Sequence, residues 1–323
     1  MSRVQHRTVE ASDAEQRLDR WFFKYFPKLP RGRLQKLLRT GQVRVDGKRA
    51  KAGLRLNIGQ KIRIPPISDV PVPPQECRRS ITESEVVFVQ SLILHMDQEI
   101  IVINKPAGLA VQGGSAVRHH LDGMLDALRF DVDERPRLIH RLDKDTSGVM
   151  VIAKNNFIHL KLAEQFKVHS ITRKYQSIVW GIPNNQSVEG FIERHKINRK
   201  KMILNKKSNG KFSKTEIKLI QSYQNASLVE CTLHTGRTHQ IRLHLTSINS
   251  PIVGDQIYGK NQISKYGLDK KTFNKFLILK HFSRQALHAT HLGFIHPRLK
   301  KNVEFNSKLP SDMQNLIDLL LKY

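Results

Sequence analysis

The sequence predicts an α+β protein in two parts. A small N-terminal αβ module precedes a larger domain built on a mixed, mainly antiparallel sheet with flanking helices. Three observations carry this reading. The first 65 residues combine apolar residues at helical spacing with a short basic hairpin. Five of the 13 prolines then fall between Pro65 and Pro74. Beyond them, several β-rich runs follow one another without a helix regularly between them, which argues against βαβ units. At 323 residues and 39% hydrophobic, the chain can bury two cores.

The elements follow in order. Ser12 and Glu15 fit a capping box, and Leu18, Trp21, Phe22 and Tyr25 recur behind it at helical spacing. Leu34, Leu37 and Leu38 make a second apolar stripe, surrounded by Arg31, Arg33, Lys36 and Arg39, with Gly41 as the stop signal. "QVRVDGKRA" reads as strand, Asp46-Gly47 turn, strand, which puts Arg44, Lys48 and Arg49 on a hairpin. "QKIRIPP" is a last short strand. Residues 65–85 read as a Pro-rich linker between a module at 14–64 and a domain at 86–323. In that domain "EIIVINKP", "GVMVIAK", "KYQSIVWG" and "LVECTLHT" are strands and "NFIHLKLAEQFKVHS" is a helix.

The charge points to a polyanion. Lys and Arg number 55 against 28 Asp and Glu, a net of +27. Residues 1–65 alone hold 17 Lys/Arg against 5 Asp/Glu, a net of +12. Cations on a rigid helix pair and hairpin neutralise phosphates and release counterions, so nucleic acid is the expected partner. No apolar run of about 18 residues predicts a membrane span, and the N-terminus has no apolar signal core. Cys77 and Cys231 form no C-x-x-C pair, so a reducing cytoplasm is expected.

Several chemistries are excluded by missing motifs. There is no P-loop and no G-x-S-x-G elbow, and "VQGGSAV" is too short for a dinucleotide fingerprint. His234, His239 and His244 are five apart, which neither a strand nor a helix places on one face, so no metal site is expected from them. "HRLDKDTSG", residues 140–148, is the stretch with the most chemistry: a base, a cation and two carboxylates ahead of an apolar strand. Asp143 and Asp145 are too close in sequence for a two-carboxylate glycosidase. One carboxylate beside Arg141 would suit a reaction needing a single anion in a cationic site; it could equally cap a turn with Thr146 and Ser147. Three further segments follow: "RKYQSIVWG" with Tyr175 on a strand, "LHTGRTHQIRLH" with Arg237 in a Gly-flanked turn, then "PIVGDQIYG" and "LHATHLGFIHP".

Residues 14–64 resemble the S4 RNA-binding domain. From residue 85 onward the motifs, in this order and spacing, closely resemble the RluA-type family of pseudouridine synthases. "AVQGGS" and "VRVDGKRAKAGLRLNIGQKIRIPP" look most like its RluC branch, which acts on large-subunit (23S) ribosomal RNA. The resemblance implies that Asp143, closing "HRLD", is the catalytic aspartate and that Asp145 occupies a variable position. It further implies that Arg141 fills the space left by a flipped base, that Tyr175 stacks on the target base, and that Arg237 pairs with the aspartate. It implies no cofactor and no metal, ribosomal RNA or a large-subunit assembly intermediate as partner, no membrane, and a cytoplasmic monomer. Two alternatives stay open: a synthase of the same family aimed at other rRNA or tRNA uridines, and a non-catalytic RNA-binding assembly protein. Asp143 discriminates against the latter, since a pure binder has no use for an acid in a cationic cleft. A metal-dependent nuclease would need clustered carboxylates, and outside 131–145 none is evident.

Overall fold

The structure is a computed structural model that describes residues 4–27, 29–67, 81–113, 119–130, 133–198, 201–207, 210–259 and 279–322. The chain divides into two compact units, Met1–Ser80 and Ile81–Tyr323. Each is built around its own core.

The first unit contains β1 (Gln5–Thr8), α1 (Leu18–Tyr25), α2 (Arg31–Arg39), β2 (Arg44–Val45), β3 (Lys48–Arg49) and β4 (Lys61–Ile64), with the sheet ordered β1-β4-β2-β3. The two apolar stripes read from the sequence bury Leu18, Trp21, Phe22, Leu34, Leu37 and Leu38 against Val45, Ile62 and Ile64. Gly41 has φ +70 at the end of α2, and the hairpin turn takes positive φ at both Asp46 (+49) and Gly47 (+73). Two positive φ values match the right-handed strand twist, which is why Asp-Gly suits this turn.

The expected capping box is absent. Residues Ala11–Asp13 form a 3-10 turn, Glu15 has φ +60, and α1 starts only at Leu18 after an extended Arg17 with no side-chain cap. The turn serves Asp13 instead. Its buried carboxylate accepts hydrogen bonds from Trp21 Nε1 (3.1 Å), Lys24 Nζ (2.6 Å) and Tyr25 Oη (2.7 Å). Burial alone would raise its pKa; these partners outweigh that and lower it.

Of the seven cations expected to meet RNA, Arg31, Lys36, Arg39, Arg44, Lys48 and Arg49 are exposed and Arg33 is half-buried. Arg49 lies against Gly41, where a Cβ would meet its Nε at 2.8 Å. The basic hairpin is thereby joined to the end of the basic helix.

The second unit begins with α3 (Glu83–Ser91). Here a capping box does form: Glu85 N–H donates to Thr82 Oγ1 (3.3 Å) and Thr82 N–H to Glu85 Oε2 (3.1 Å). The last residues of the stretch read as linker are therefore helical; residues 68–80 lie outside those described. The sheet comprises β5 (Ile93–Met96), β6 (Ile100–Lys105), β7 (Arg137–Leu138), β8 (Ser147–Ala153), β9 (Thr172–Trp180), β10 (Gln186–Arg194), β11 (Met202–Asn205), β12 (Lys211–Tyr223), β13 (Ala226–Leu233), β14 (Leu287–Ile295) and β15 (Asn302–Asn306). Its order is β11-β10-β12-β13-β9-β14-β8-β6-β5, with β15 beside β14 and β7 beside β8. Among the strands named here only β8 and β14 pair in parallel. The sheet is thus mixed and mainly antiparallel, and the α+β reading holds.

Helices α4 (Leu121–Met124), α5 (Asn156–Lys167), α6 (Gln240–Ser247) and α7 (Ser311–Lys322) accompany it. All seven residues of β8 are buried. Met150 and Ile152 enter one apolar cluster while Val149, Val151 and Ala153 enter another with Ile158 and Leu162 of α5. A strand covered on both faces reads as a continuous apolar run, which explains the sequence after "TSG".

The glycine of that motif has its own cause. Gly148 has φ +122, and a Cβ there would collide with the carbonyl oxygen and nitrogen of Ala289 on β14. Gly148→Ala is expected to destabilise the protein by about 3 kcal/mol or more, from backbone strain and overpacking together. Urea unfolding of the variant checks it; an unchanged midpoint would show that β14 can move away without loss.

Candidate active site

Asp143 sits in the loop between β7 and β8, and the fold fixes that loop from several sides. Thr146 N–H donates to the Asp143 carbonyl (3.2 Å), and Gly108 N–H to the Lys144 carbonyl (2.9 Å). The fully buried Lys105, at the end of β6, donates from Nζ to the carbonyls of Pro106 (2.8 Å), Leu109 (2.9 Å) and Lys144 (3.0 Å). Burial lowers its pKa to about 7, with the charges of Asp145 and Asp143 opposing. Gln285 Nε2 donates to Thr146 Oγ1 (3.0 Å), and Ser147 Oγ lies 2.8 Å from His288 Nδ1. Thr146 and Ser147 thus anchor the loop to β14 and the residues just before it, which leaves the aspartate side chain free of a capping duty.

The loop opens on a cavity of about 440 Å³ whose lining includes Arg141, Asp143, Tyr175, Arg237, His239 and Arg242. Asp145 is not among the lining residues. The geometry therefore separates the two aspartates, which the spacing alone could not. Arg141 is exposed and Tyr175 buried. Burial raises the Tyr175 phenol, with Arg173 opposing and Asp143 adding to the rise, so the hydroxyl stays protonated near neutral pH. His140 is not an acid–base group here. Its Nε2 accepts from Val151 N–H (3.2 Å), its ring stacks on Phe166 (centroids 4.7 Å), and burial followed by the charge of Arg173 lowers its pKa to about 3.

The partner expected for Asp143 is displaced by five residues. Arg237 lines the cavity, but its Nε donates to the Phe212 carbonyl at 2.9 Å. The guanidinium at Asp143 belongs to Arg242, whose Nη1 lies 3.0 Å from Oδ2. The cause is the turn between them. Gln240 is buried and staples it, receiving hydrogen bonds at Oε1 from Arg237 N–H and Thr235 Oγ1 and donating to the Lys214 carbonyl and Thr215 Oγ1. His239 then takes φ +59 and starts α6. Arg237 comes before that reversal and Arg242 after it, so the first bonds the Phe212 carbonyl and the second reaches Asp143.

Arg242 is held in turn by a residue the sequence reading did not single out. Its Nε and Nη2 bind Asp255 Oδ2 and Oδ1 at 2.7 and 2.9 Å. The Arg242 side chain is 5% exposed, Asp255 1% and Asp143 21%. Burial would lower the Arg242 pKa, but Asp255 and then Asp143 raise it overall; burial would raise Asp255, but Arg242 and the Ile257 and Tyr258 N–H groups lower it. The two-point fork goes to Asp255. Asp143 receives a single bond, and the three groups carry one net negative charge, at the carboxylate that faces the cavity.

His239 adds a fourth group, with Nε2 3.7 Å from Asp143 Oδ2 and Nδ1 2.8 Å from the Tyr258 hydroxyl. Burial, opposed by Asp143 and reinforced by Arg242, lowers its pKa and favours the neutral ring. Asp255 and Tyr258 lie in "PIVGDQIYG" and His239 in "LHTGRTHQIRLH". Those segments were conspicuous, but no periodicity connects them. Among the described residues, no three His, Cys, Asp or Glu side chains gather to hold a metal ion, and no helix is long and apolar enough to cross a membrane.

Residues 99–247 match the family model for RNA pseudouridylate synthase, and residues 16–62 match the S4 domain. Ribosomal large subunit pseudouridine synthase D of Zymomonas mobilis is 37% identical over 317 residues, covering 94% of each chain. The chain belongs to the RNA pseudouridine synthase family. Another such relative, ribosomal large subunit pseudouridine synthase C of Buchnera aphidicola subsp. Baizongia pistaciae, is 33% identical over 93% of this chain and 92% of its own. The structure of human RNA pseudouridylate synthase domain containing 4 aligns with a TM-score of 0.61 at 28% identity, over 74% of this chain and 97% of that one. A pseudouridine synthase is an isomerase acting on uridine in RNA, and a cleft with one accessible carboxylate suits a reaction that adds and oxidises nothing.

Proposed function

We propose that this synthase converts specific uridines of 23S ribosomal RNA to pseudouridine, with Asp143 as the catalytic carboxylate. The observation that carries the reading is the single accessible carboxylate of Asp143 on the cavity, backed by a guanidinium already neutralised by Asp255. In the reaction the bond from ribose C1′ to uracil N1 breaks, the base turns, and C1′ bonds to C5. The C5 hydrogen leaves and N1 gains one, so atoms balance without a co-reactant. The uridine must first leave its stack, which costs a few kcal/mol. Arg141, exposed at the rim, is assigned to the space the base vacates. Tyr175 offers a buried aromatic face, and stacking on such a face is worth about 1–3 kcal/mol. Arg242 orients Asp143, and Arg237, tied to the Phe212 carbonyl, lines the same cavity.

The S4 unit supplies RNA affinity through Arg31, Arg33, Lys36, Arg39, Arg44, Lys48 and Arg49. Arg39→Gln and Lys48→Gln are each expected to reduce the slope of log affinity against log salt by roughly 0.7–0.9 where the side chain meets a phosphate. Filter binding of 23S transcripts at several salt concentrations checks this, and unchanged slopes for both variants would remove these residues from the interface. The function itself is tested by mapping pseudouridines in ribosomal and transfer RNA from cells with and without the gene. Sites in 23S rRNA should vanish with the gene and return with the wild-type protein. Loss confined to tRNA would favour a different target.

A further inference from the structure

One side chain lining the cleft, Arg173, keeps two buried donors unpaired among the described residues. Arg173 is 8% exposed and lies on β9 two residues before Tyr175, hence on the same sheet face. Its guanidinium carbon sits 5.6 Å from the Phe166 ring centroid, on the layer that His140 also stacks against. Gly236 makes room for it: a Cβ there would meet Nη1 at 2.6 Å. Yet its Nε and Nη2 are buried without a hydrogen-bond partner among the described residues. These two atoms form one edge of the guanidinium, the same edge with which Arg242 grips Asp255. Leaving buried donors unpaired is costly, so a ligand is the natural partner.

We propose that the Nε/Nη2 edge of Arg173 is a phosphate site inside the cleft, taking the phosphodiester that adjoins the reacting uridine. The inference rests on the proposed RNA substrate. Its chemistry favours phosphate over the base. Two parallel donors match two oxygens on one atom, whereas the edge of uracil alternates carbonyl oxygens with an N–H that would face a donor. The surroundings favour an anion as well. Arg237 and His169 line the same cavity, and the one acid in the lining, Asp143, bonds Arg242 and not Arg173. Burial, with Tyr175 opposing and Arg237 adding, lowers the Arg173 pKa, while burial, then Arg173 and Arg237, lowers that of His169. Two neighbouring guanidiniums, of Arg173 and Arg237, make a local positive field that a bound anion relieves.

The test uses the full-length protein and a synthetic RNA hairpin around a uridine it modifies. Either phosphate flanking that uridine is replaced, one at a time, by a neutral methylphosphonate. Neutralising one of the two should raise the wild-type KM by about 10–100-fold, the range of a charge-assisted hydrogen bond. Arg173→Met should raise KM by a similar factor on the natural hairpin and gain nothing further from the same methylphosphonate. Arg173→Lys should recover part of the loss, because it restores charge without the fork. Gly236→Ala, which crowds the guanidinium but keeps the charge, should also weaken the coupling. Losses that multiply independently at both phosphates would overturn the proposal, as would an Arg173→Met protein that melts earlier but binds natural RNA normally. A wild-type protein that modifies no RNA would instead overturn the functional reading beneath it.

Discussion

Asp143→Asn is expected to cut pseudouridine formation by about 10³-fold or more while leaving the fold and RNA binding in place, a loss in the range seen when an essential acid or base is removed. The substitution is nearly isosteric, and the amide oxygen can still accept from Arg242 Nη1, now 3.0 Å from Oδ2. What disappears is the one net negative charge of the Asp143, Arg242 and Asp255 group. Arg242 and Asp255 remain paired, so no buried charge is left alone and the melting temperature should hardly move. Asp145→Asn is the control. Asp145 does not line the cavity, and its charge is felt at Lys105 instead; most activity should survive. Single-turnover assays of both variants on 23S transcript decide the matter. An active Asp143 variant beside an inactive Asp145 variant would reverse the assignment.

Arg242→Met should be the most destabilising of the site substitutions. It removes the two-point partner of Asp255, which is 1% exposed, and a buried charge stripped of its partner costs about 3–5 kcal/mol. It also leaves Asp143 unoriented, so activity should fall even where the variant remains folded. The pH dependence follows from the direction of the Asp255 shift. Its folded pKa lies below the ordinary 3.8, so its contribution to stability is complete above about pH 4 and is lost as pH falls through the depressed folded value. Without Arg242, burial acts on Asp255 with much less opposition and pushes its pKa up, so acid unfolding should begin at a higher pH than in wild type. Arg237→Met, whose side chain bonds a backbone carbonyl at a partly exposed position, should leave the acid transition nearly unchanged. Circular dichroism from pH 7 to 2 measures this, and a wild-type transition for Arg242→Met would show that Asp255 does not depend on it.

Local signals were read well where one short segment decides the outcome. The stripe of Leu18, Trp21 and Phe22, the Asp46-Gly47 turn and the buried run of β8 all formed as their spacing indicated. The same kind of signal failed at the first helix. Ser12-x-x-Glu15 reads as a capping box and forms none, whereas Thr82 and Glu85, in the stretch read as linker, form one. At the first, Asp13 is drawn into the core by Trp21, Lys24 and Tyr25, and that tertiary contact overrides the local preference. The pattern could not reveal this because it contains no information about what lies across the core.

By itself the sequence determined that the chain is a basic α+β protein and singled out the Asp143 segment, and the resemblance of its motifs pointed to an S4-like front end and a pseudouridine synthase body. Those properties reside in charge, periodicity and the order of short motifs, all of which are written along the chain. Only the tertiary structure decided which arginine meets Asp143. Asp143 and Arg242 are 99 positions apart, and Arg237 and Arg242 differ in sequence by less than two helical turns. Which of them reaches the carboxylate depends on a left-handed His239, a buried Gln240 and the fork of Asp255. The edge of Arg173 that has no hydrogen-bond partner among the described residues is of the same kind, because only the folded neighbours show which donors are left over.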